Sequence, residues 1–226
     1  MERLDNLKLT ISADDILRGQ GMDPATVRAR RPVLADAAER ALAEGRDLVR
    51  PVALTREIAV ESHRHERVRL ENGAALTGAL AARHLGGAER VAAVICTIGP
   101  ELEKASSRLF GEDPVLAMAL DGLGNAAVEL LAQQICVGIG ERAQADGLQA
   151  STPLSPGVPE WPVEVGQPEI FKLVKAAQAG IQITAGGMMI PKKSMSFVVG
   201  IGTEMSQADL CEVCNLKDTC RHRHAG

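Results

Sequence analysis

The sequence predicts an α+β fold: a single domain with long helices packed on a twisted, largely antiparallel sheet, followed by a cysteine-rich C-terminal tail. Residues 91–97 (VAAVICT) form an apolar run of strand length, typical of a strand covered on both faces. Strand-like patterns occur before and after this run, and two Asp-Pro pairs open long helical patterns. We place the domain at residues 1–205 and the tail, which carries three cysteines, at residues 206–226.

The predicted helices begin at capping residues. The Asp-Pro pairs at positions 23–24 and 113–114 each join an N-cap carboxylate to a proline in the first helical turn. Glu101 and Glu103 lie in another first turn, where the helix dipole favours acidic side chains. In chain order the helices are expected at residues 14–20, 24–44, 76–84, from 101 onwards, 114–145 and 168–179.

The predicted strands follow from alternating or continuous apolar patterns. An Asn-Gly turn at positions 72–73 separates the second expected strand from the short helix after it. In chain order the strands are expected at residues 50–60, 68–70, 91–97, 181–184 and 194–201.

Composition excludes several classes of protein. The chain has 226 residues, a net charge of −4 and 46% hydrophobic residues, so neither disorder nor a nucleic-acid partner is indicated. It has three Phe, one Trp and no Tyr, which leaves few aromatic platforms for stacking bases. The sequence shows neither a signal peptide nor a membrane-length apolar run, and we expect a cytoplasmic protein without a membrane partner. Cys96 and Cys136 are interpreted as small core residues.

A proline-rich loop at residues 151–168 is the first candidate for chemistry. Its prolines at 153, 156, 159 and 162 share the three-residue period of polyproline II, which predicts an extended, stiff segment. Gly157 would let a ligand approach the backbone closely, and Trp161 offers a stiff indole. The alternative is a structural connector with a packed tryptophan.

A polar stripe on the long helix is the second candidate. Asp121, Asn125, Glu129 and Gln133 are four residues apart and therefore lie on one side of the helix. Glycines between the first two allow a backbone or a ligand close by. The stripe is interpreted either as the lining of a crevice or as a solvated face.

The tail carries the third candidate. Cys211, Cys214 and Cys220, the tail cysteines, have the spacing of a metal chelate. Three sulfurs and a further ligand complete a zinc site, with His222 or His224, or an iron–sulfur cluster of the 4Fe-4S type. Free or disulfide-linked cysteines are the remaining alternative.

Three segments resemble one known family. Residues 155–159 (SPGVP), the helix start at 167–173 and residues 181–200 (IQITAGGMMIPKKSMSFVVG) are similar to the activation, or reactivation, domain of cobalamin-dependent methionine synthase in its stand-alone form. The resemblance extends over most of residues 12–202 and implies that family's fold. It also implies a groove that binds S-adenosylmethionine, and docking on a corrinoid protein whose oxidised cobalt is reduced and remethylated.

The resemblance implies ligand contacts through the backbone of the loop and through the polar stripe, where Asn125 stands at a family carboxylate position. Val158 replaces the family's loop tyrosine, Pro153 its arginine, and residues 184–186 its Thr-Glu-Ser glutamate, so we expect weak binding. The predicted ligand-contacting residues, including the loop tryptophan, are Ser155, Pro156, Gly157, Val158, Asn125, Glu129 and Trp161.

The function that follows is that of an accessory protein for a corrinoid-dependent methyltransferase. It would bind S-adenosylmethionine or a related ligand and support reductive reactivation of cobalamin. Reactivation needs low-potential electrons, which favours an iron–sulfur cluster over zinc in the tail. Two alternatives stay open: a small methyltransferase acting on protein-bound cobalamin, and an electron-transfer module whose ligand groove has decayed.

Overall fold

The computed structural model describes residues 1–5 and 7–207. The helices are α1 Ala13–Gly19, α2 Pro24–Arg30, α3 Pro32–Gly45, α4 Ala79–His84, α5 Glu101–Leu109, α6 Pro114–Ala145 and α7 Val163–Leu173. The strands are β1 Glu2–Asp5, β2 Val52–Arg64, β3 Arg67–Leu70, β4 Ala75–Thr77, β5 Arg90–Thr97, β6 Gln149–Ala150, β7 Gln182–Ile183, β8 Met189–Ile190 and β9 Ser194–Gly202. The predicted α+β class is confirmed.

The main sheet is antiparallel, in the order β4-β3-β2-β5-β9-β6, and β1 also pairs with β2. The apolar run becomes β5, which pairs along its whole length with β2 on one side and β9 on the other. Ala92, Val94 and Cys96 are buried on one face of β5 and Val91 and Ile95 on the other. The prediction of a strand covered on both faces is therefore confirmed.

Two groups of helices cover these faces. The buried side chains of α1, α3, α5 and α6 join the core on the face of Ala92 and Val94. Those of α4 and α7 join the core on the face of Val91 and Ile95, together with the proline-rich loop. The polar stripe of α6 and the loop are thus separated by the thickness of the sheet.

The longest helix begins and ends where the sequence predicts. The Asp113 side chain accepts a hydrogen bond from the N–H of Leu116 at 3.0 Å, which caps α6, and Pro114 occupies its first turn. By length and composition α6 could cross a membrane, but 67% of its most apolar 18-residue window is buried inside the fold. Its apolar character is that of a core helix.

The predicted helix at 24–44 is two helices. The chain breaks between α2 and α3 at Arg31, whose φ of −142° and ψ of 61° are not helical. The cause is Pro32, which disfavours the helical conformation of the residue before it. Pro32 then begins α3, just as Pro24 begins α2.

Two further helix boundaries were predicted wrongly. Residues 75–77 are strand β4, which pairs with β3, so the short helix begins only at Ala79. Helix α7 begins at Val163 and contains Pro168 in its interior, rather than beginning there. Pro168 leaves the carbonyl of Glu164 without its helical donor, and Glu164 is exposed, so water can satisfy it.

Candidate ligand-binding site

The proline-rich loop makes a tight turn. Leu154 exchanges two backbone hydrogen bonds of 2.9 Å with Val198 of β9, and the chain then reverses. The N–H of Gly157 donates to the carbonyl of Trp161 at 2.9 Å, and the N–H of Trp161 donates to the carbonyl of Val158 at 3.2 Å. The prediction of an extended polyproline II segment is wrong, because Gly157, at φ 103°, turns the chain back.

Trp161 belongs to the core. Its relative exposure is 0%, and its indole N–H points to a carboxylate oxygen of Glu169 at 3.4 Å. Gly78 and Gly166 leave room for the ring: a Cβ at Gly166 would lie 2.6 Å from the indole, and one at Gly78 would lie 2.9 Å from it. The alternative reading of the sequence, a packed tryptophan, is what the structure shows, and the buried ring leaves no exposed surface to a ligand.

The accessible part of the turn is its first half. Gly157 is exposed, and Ser155, Pro156 and Val158 are half-buried. Among the described residues, none donates a hydrogen bond to the carbonyl oxygens of residues 155–157. Three acceptors are therefore available to a ligand that carries positive charge or N–H and O–H donors.

A second loop reaches the same place. Val163 packs against both Gly157 and Gly187. A Cβ at Gly157 would lie 3.2 Å from one Val163 methyl group, and a Cβ at Gly187 would lie 2.8 Å from the other. Gly187 belongs to the segment that connects β7 to β8, where Thr184 and Met188 exchange hydrogen bonds. Two of the three segments that carry the family resemblance thus meet at Val163.

The polar stripe of α6 divides into two parts. The amide N–H of Asn125 donates to the carbonyl of Gly19 at 2.9 Å, and its side-chain oxygen accepts a hydrogen bond from Nζ of Lys193 at 2.6 Å. Asp121 forms an ion pair with the same Nζ at 2.8 Å. Glu129 is exposed and forms no hydrogen bond or ion pair with a described residue. Asp121 and Asn125 thus bind Lys193, whereas Glu129 is a carboxylate without a partner among the described residues.

The glycines between Asp121 and Asn125 admit close neighbours, as predicted. A Cβ at Gly122 would lie 2.9 Å from the carbonyl oxygen of Ile16 and 2.5 Å from Cγ of Gln20, so α1 crosses α6 at backbone contact. A Cβ at Gly124 would lie 3.0 to 3.2 Å from three carbons of the Lys193 side chain.

The loop and the stripe approach one edge of the sheet from its two faces. In the described part of the chain, the outer edge of β9 has no strand partner over residues 194–197. The turn at Ser155 begins directly after Leu154, the partner of Val198, and Lys193 directly precedes β9. The turn and Lys193 thus lie at the two ends of this unpaired edge of β9.

A cavity of about 500 Å³ lies on the α6 side, between α1, α5 and α6. It is lined by Gln20, Phe110, Met118, Asp121 and Asn125, among others. The side-chain oxygen of Gln20 is buried there and has no hydrogen-bond partner within residues 1–5 and 7–207. Neither Gln20 nor Lys193 is marked by the sequence, because each reaches α6 from a distant segment.

The tail cysteines, the predicted ligands of a metal centre, lie outside the described residues. Within residues 1–5 and 7–207, no group of three His, Cys, Asp or Glu side chains could hold a metal ion. Burial raises the pKa of the Cys96 thiol to about 12 and that of Cys136 to about 11. Both are therefore protonated, and they pack in or against the α6-side core, as predicted.

No family model matches the chain, and no curated protein matches it. Among solved structures, the fold is similar to a crystal structure of the MetH reactivation domain bound to AdoHcy (S-adenosylhomocysteine), with a TM-score of 0.60 and 14% sequence identity. The similarity covers 89% of this chain and 73% of that chain. The predicted resemblance to a reactivation domain is confirmed at the level of the fold.

Proposed function

We propose that this protein is an accessory subunit of a corrinoid-dependent methyltransferase system, in which it binds an S-adenosyl ligand and supports reductive reactivation of cobalamin. The observation that carries the proposal is the fold: 89% of the chain is similar to a reactivation domain crystallised with AdoHcy. The two loops that meet at Val163 carry most of the sequence resemblance to that family.

The ligand would lie along the free edge of β9. The unpaired carbonyl oxygens of residues 155–157 suit a ligand with positive charge and polar hydrogens, and the exposed Gly157 permits close backbone approach. Asn125 reaches the same edge from the other face through its hydrogen bond with Lys193, and Glu129 is exposed one turn further along α6. The absent loop tyrosine and arginine, replaced by Val158 and Pro153, predict weak binding.

The chemistry requires two components. Remethylating an oxidised cobalt(II) corrinoid consumes one electron and one methyl cation, and the sulfonium of S-adenosylmethionine leaves as the thioether AdoHcy. The corrinoid belongs to the partner protein, so this chain's role is to bind and orient the methyl donor.

We further propose that the tail cysteines hold a metal centre, an iron–sulfur cluster in preference to zinc. The support for it is the Cys-x2-Cys-x5-Cys spacing together with the need for an electron donor. Zinc would be redox-silent and would make the tail structural.

The proposal is tested with a corrinoid methyltransferase whose cobalt has been oxidised to cobalt(II). Given S-adenosylmethionine and a chemical reductant, the full chain should restore the absorption spectrum of the methylated corrinoid. Gly157→Val should not, because a β-branched side chain blocks backbone approach at a left-handed position. Gly147→Val, a surface glycine with φ 75° and open surroundings, controls for the backbone strain. Equal recovery with and without the chain would contradict the proposal.

A further inference from the structure

Residues 7–11 form an extended segment between β1 and α1. Their side chains alternate as they do in a strand. The half-buried ones, which pack against the α6-side core, are Leu7, Leu9 and Ile11, and the exposed ones are Lys8 and Thr10. Among the described residues, however, no backbone N–H or C=O of this segment has a hydrogen-bond partner. The segment thus has the pattern of a strand without a neighbouring strand.

The fold fixes both ends of the segment. Strand β1 pairs with β2 as far as Asp5, which lies opposite Val52. At the other end Ser12 caps α1, since its Oγ accepts the N–H of Asp15 at 3.2 Å and its own N–H donates to the Asp15 carboxylate at 2.9 Å. Five residues at about 3.4 Å each present about 17 Å of strand edge, the length of an average strand. Because backbone polar groups nearly always form hydrogen bonds, an edge of this kind is a template for another chain.

A groove beside this segment, which we call the N-terminal groove, has a volume of about 460 Å³. Residues 7–11 form part of its lining, and its other apolar lining residues are Leu42, Val49, Pro51 and Leu123. All of these except Leu123 are half-buried, so apolar surface from three segments of the chain stays in contact with solvent. A strand paired with residues 7–11 would cover this surface with every second side chain.

The N-terminal groove carries positive charge. Its charged lining residues are Lys8 and Arg46, and no carboxylate is among the described residues that line it. Both cations are exposed, and neither forms a hydrogen bond or an ion pair with another described residue. The chain has a net charge of −4, so this pair of free cations is a local exception. Carboxylates on an incoming chain would therefore be attracted to the groove.

We infer that the N-terminal groove docks an extended segment of a partner protein. This segment adds a strand to residues 7–11, places alternate apolar side chains in the groove and brings carboxylates to Lys8 and Arg46. In this mode of recognition the main-chain hydrogen bonds supply affinity and the side chains supply specificity. The groove includes no residue of the Ser155–Val158 turn or of the polar stripe, so the inference does not depend on the proposed ligand site.

The test uses a fluorescent synthetic peptide in which valine and glutamate alternate, titrated with the full chain and followed by fluorescence anisotropy. We expect saturable binding. Successive N–H groups of a strand point to opposite edges, so methylation of the valine nitrogens blocks one edge of the peptide and methylation of the glutamate nitrogens blocks the other. Because the peptide pairs through a single edge, one methylated peptide should lose binding and the other should keep it.

The charge of the groove is tested with a second peptide, in which lysine replaces glutamate and which should bind much more weakly. Arg46→Gln should weaken binding of the glutamate peptide about two- to fivefold, the effect of one solvent-exposed ion pair. Arg67→Gln is the matched control, because it removes an exposed arginine of β3 that lies opposite the far end of β2. It should leave the affinity unchanged.

Failure of the glutamate peptide to bind, equal affinity for the lysine peptide, or the same outcome for both methylated peptides overturns the inference. A dimer of the chain that the glutamate peptide dissociates would assign the groove to a second copy and would also overturn it. None of these results affects the proposed function, because its ligand site lies outside the groove.

Discussion

The contact between α1 and α6 gives the sharpest stability prediction. Gly122→Ala would place a methyl group 2.9 Å from the Ile16 carbonyl oxygen, a backbone atom that cannot rotate away, and 2.5 Å from Cγ of Gln20. Overpacking of this kind costs about 1–3 kcal/mol. Removing a glycine from a helix interior contributes about 0.5–1 kcal/mol in the other direction. We expect a net loss of about 0–2.5 kcal/mol in the free energy of unfolding.

Gly140→Ala is the matched control on the same helix. A Cβ at Gly140 would meet nothing within 4 Å, so the variant keeps the gain in helix propensity without the clash. Since that gain is common to both, the difference between the two variants isolates the overpacking term, about 1–3 kcal/mol. Urea denaturation measures this difference in the free energy of unfolding, provided that the two variants unfold with equal dependence on urea concentration. Equal stability of the two variants would refute the close approach of α1 to α6.

Three further predictions concern other parts of the molecule. Trp161 is the single tryptophan, and its fluorescence should be at short wavelength in the folded protein and shift to the red on unfolding. Trp161→Ala should lower the free energy of unfolding by about 3–5 kcal/mol. Fluorescence of the folded protein at the wavelength of a solvated indole would contradict the burial of Trp161. Hydrogen bonds from the Leu116 N–H and then from Arg40 lower the pKa of Asp113 from 3.8. The contribution of Asp113 to the free energy of unfolding is therefore complete at neutral pH and is lost as the pH falls below about 4 through the lowered pKa. Asp113→Asn keeps the cap and should flatten this part of the acid unfolding curve, and an unchanged curve would contradict the assignment. Protein purified without oxygen should be brown and should bleach with dithionite. Alanine at any tail cysteine should sharply lower the iron content, whereas alanine at Cys136 should not. Colourless protein with one zinc per chain would exclude a role of the tail in electron transfer.

Local signals in the sequence predicted the framework of the fold. The run of apolar residues at 91–97 and the capped start of α6 depend only on neighbouring residues, and both occur as expected. The division at Pro32 also has a local cause, since the rule that a proline begins a helix applies there as it does at Pro24. The start of α7 does not follow this rule, because Pro168 lies inside the helix. The helix tolerates it because the carbonyl that loses its donor belongs to the exposed Glu164.

The candidate site could be predicted only in part, because its decisive contacts are non-local. The stripe of α6 follows from a four-residue period, but Lys193 lies 68 residues from Asn125 in sequence, and no periodicity brings them together. The same holds for Trp161, whose burial depends on Gly78 of a separate hairpin. Proline spacing suggested an extended loop, and one glycine at a left-handed φ reversed it.

The measurement that tests the central claim most directly is a calorimetric titration of S-adenosylhomocysteine into the full chain. The proposed function predicts one site per chain, lost in Gly157→Val and retained in Gly147→Val, whose glycine also has a positive φ and lies just after the end of α6. Absence of binding to the parent, or equal affinity in the parent and Gly157→Val, would contradict the assignment of the Ser155–Val158 turn as the ligand-binding site.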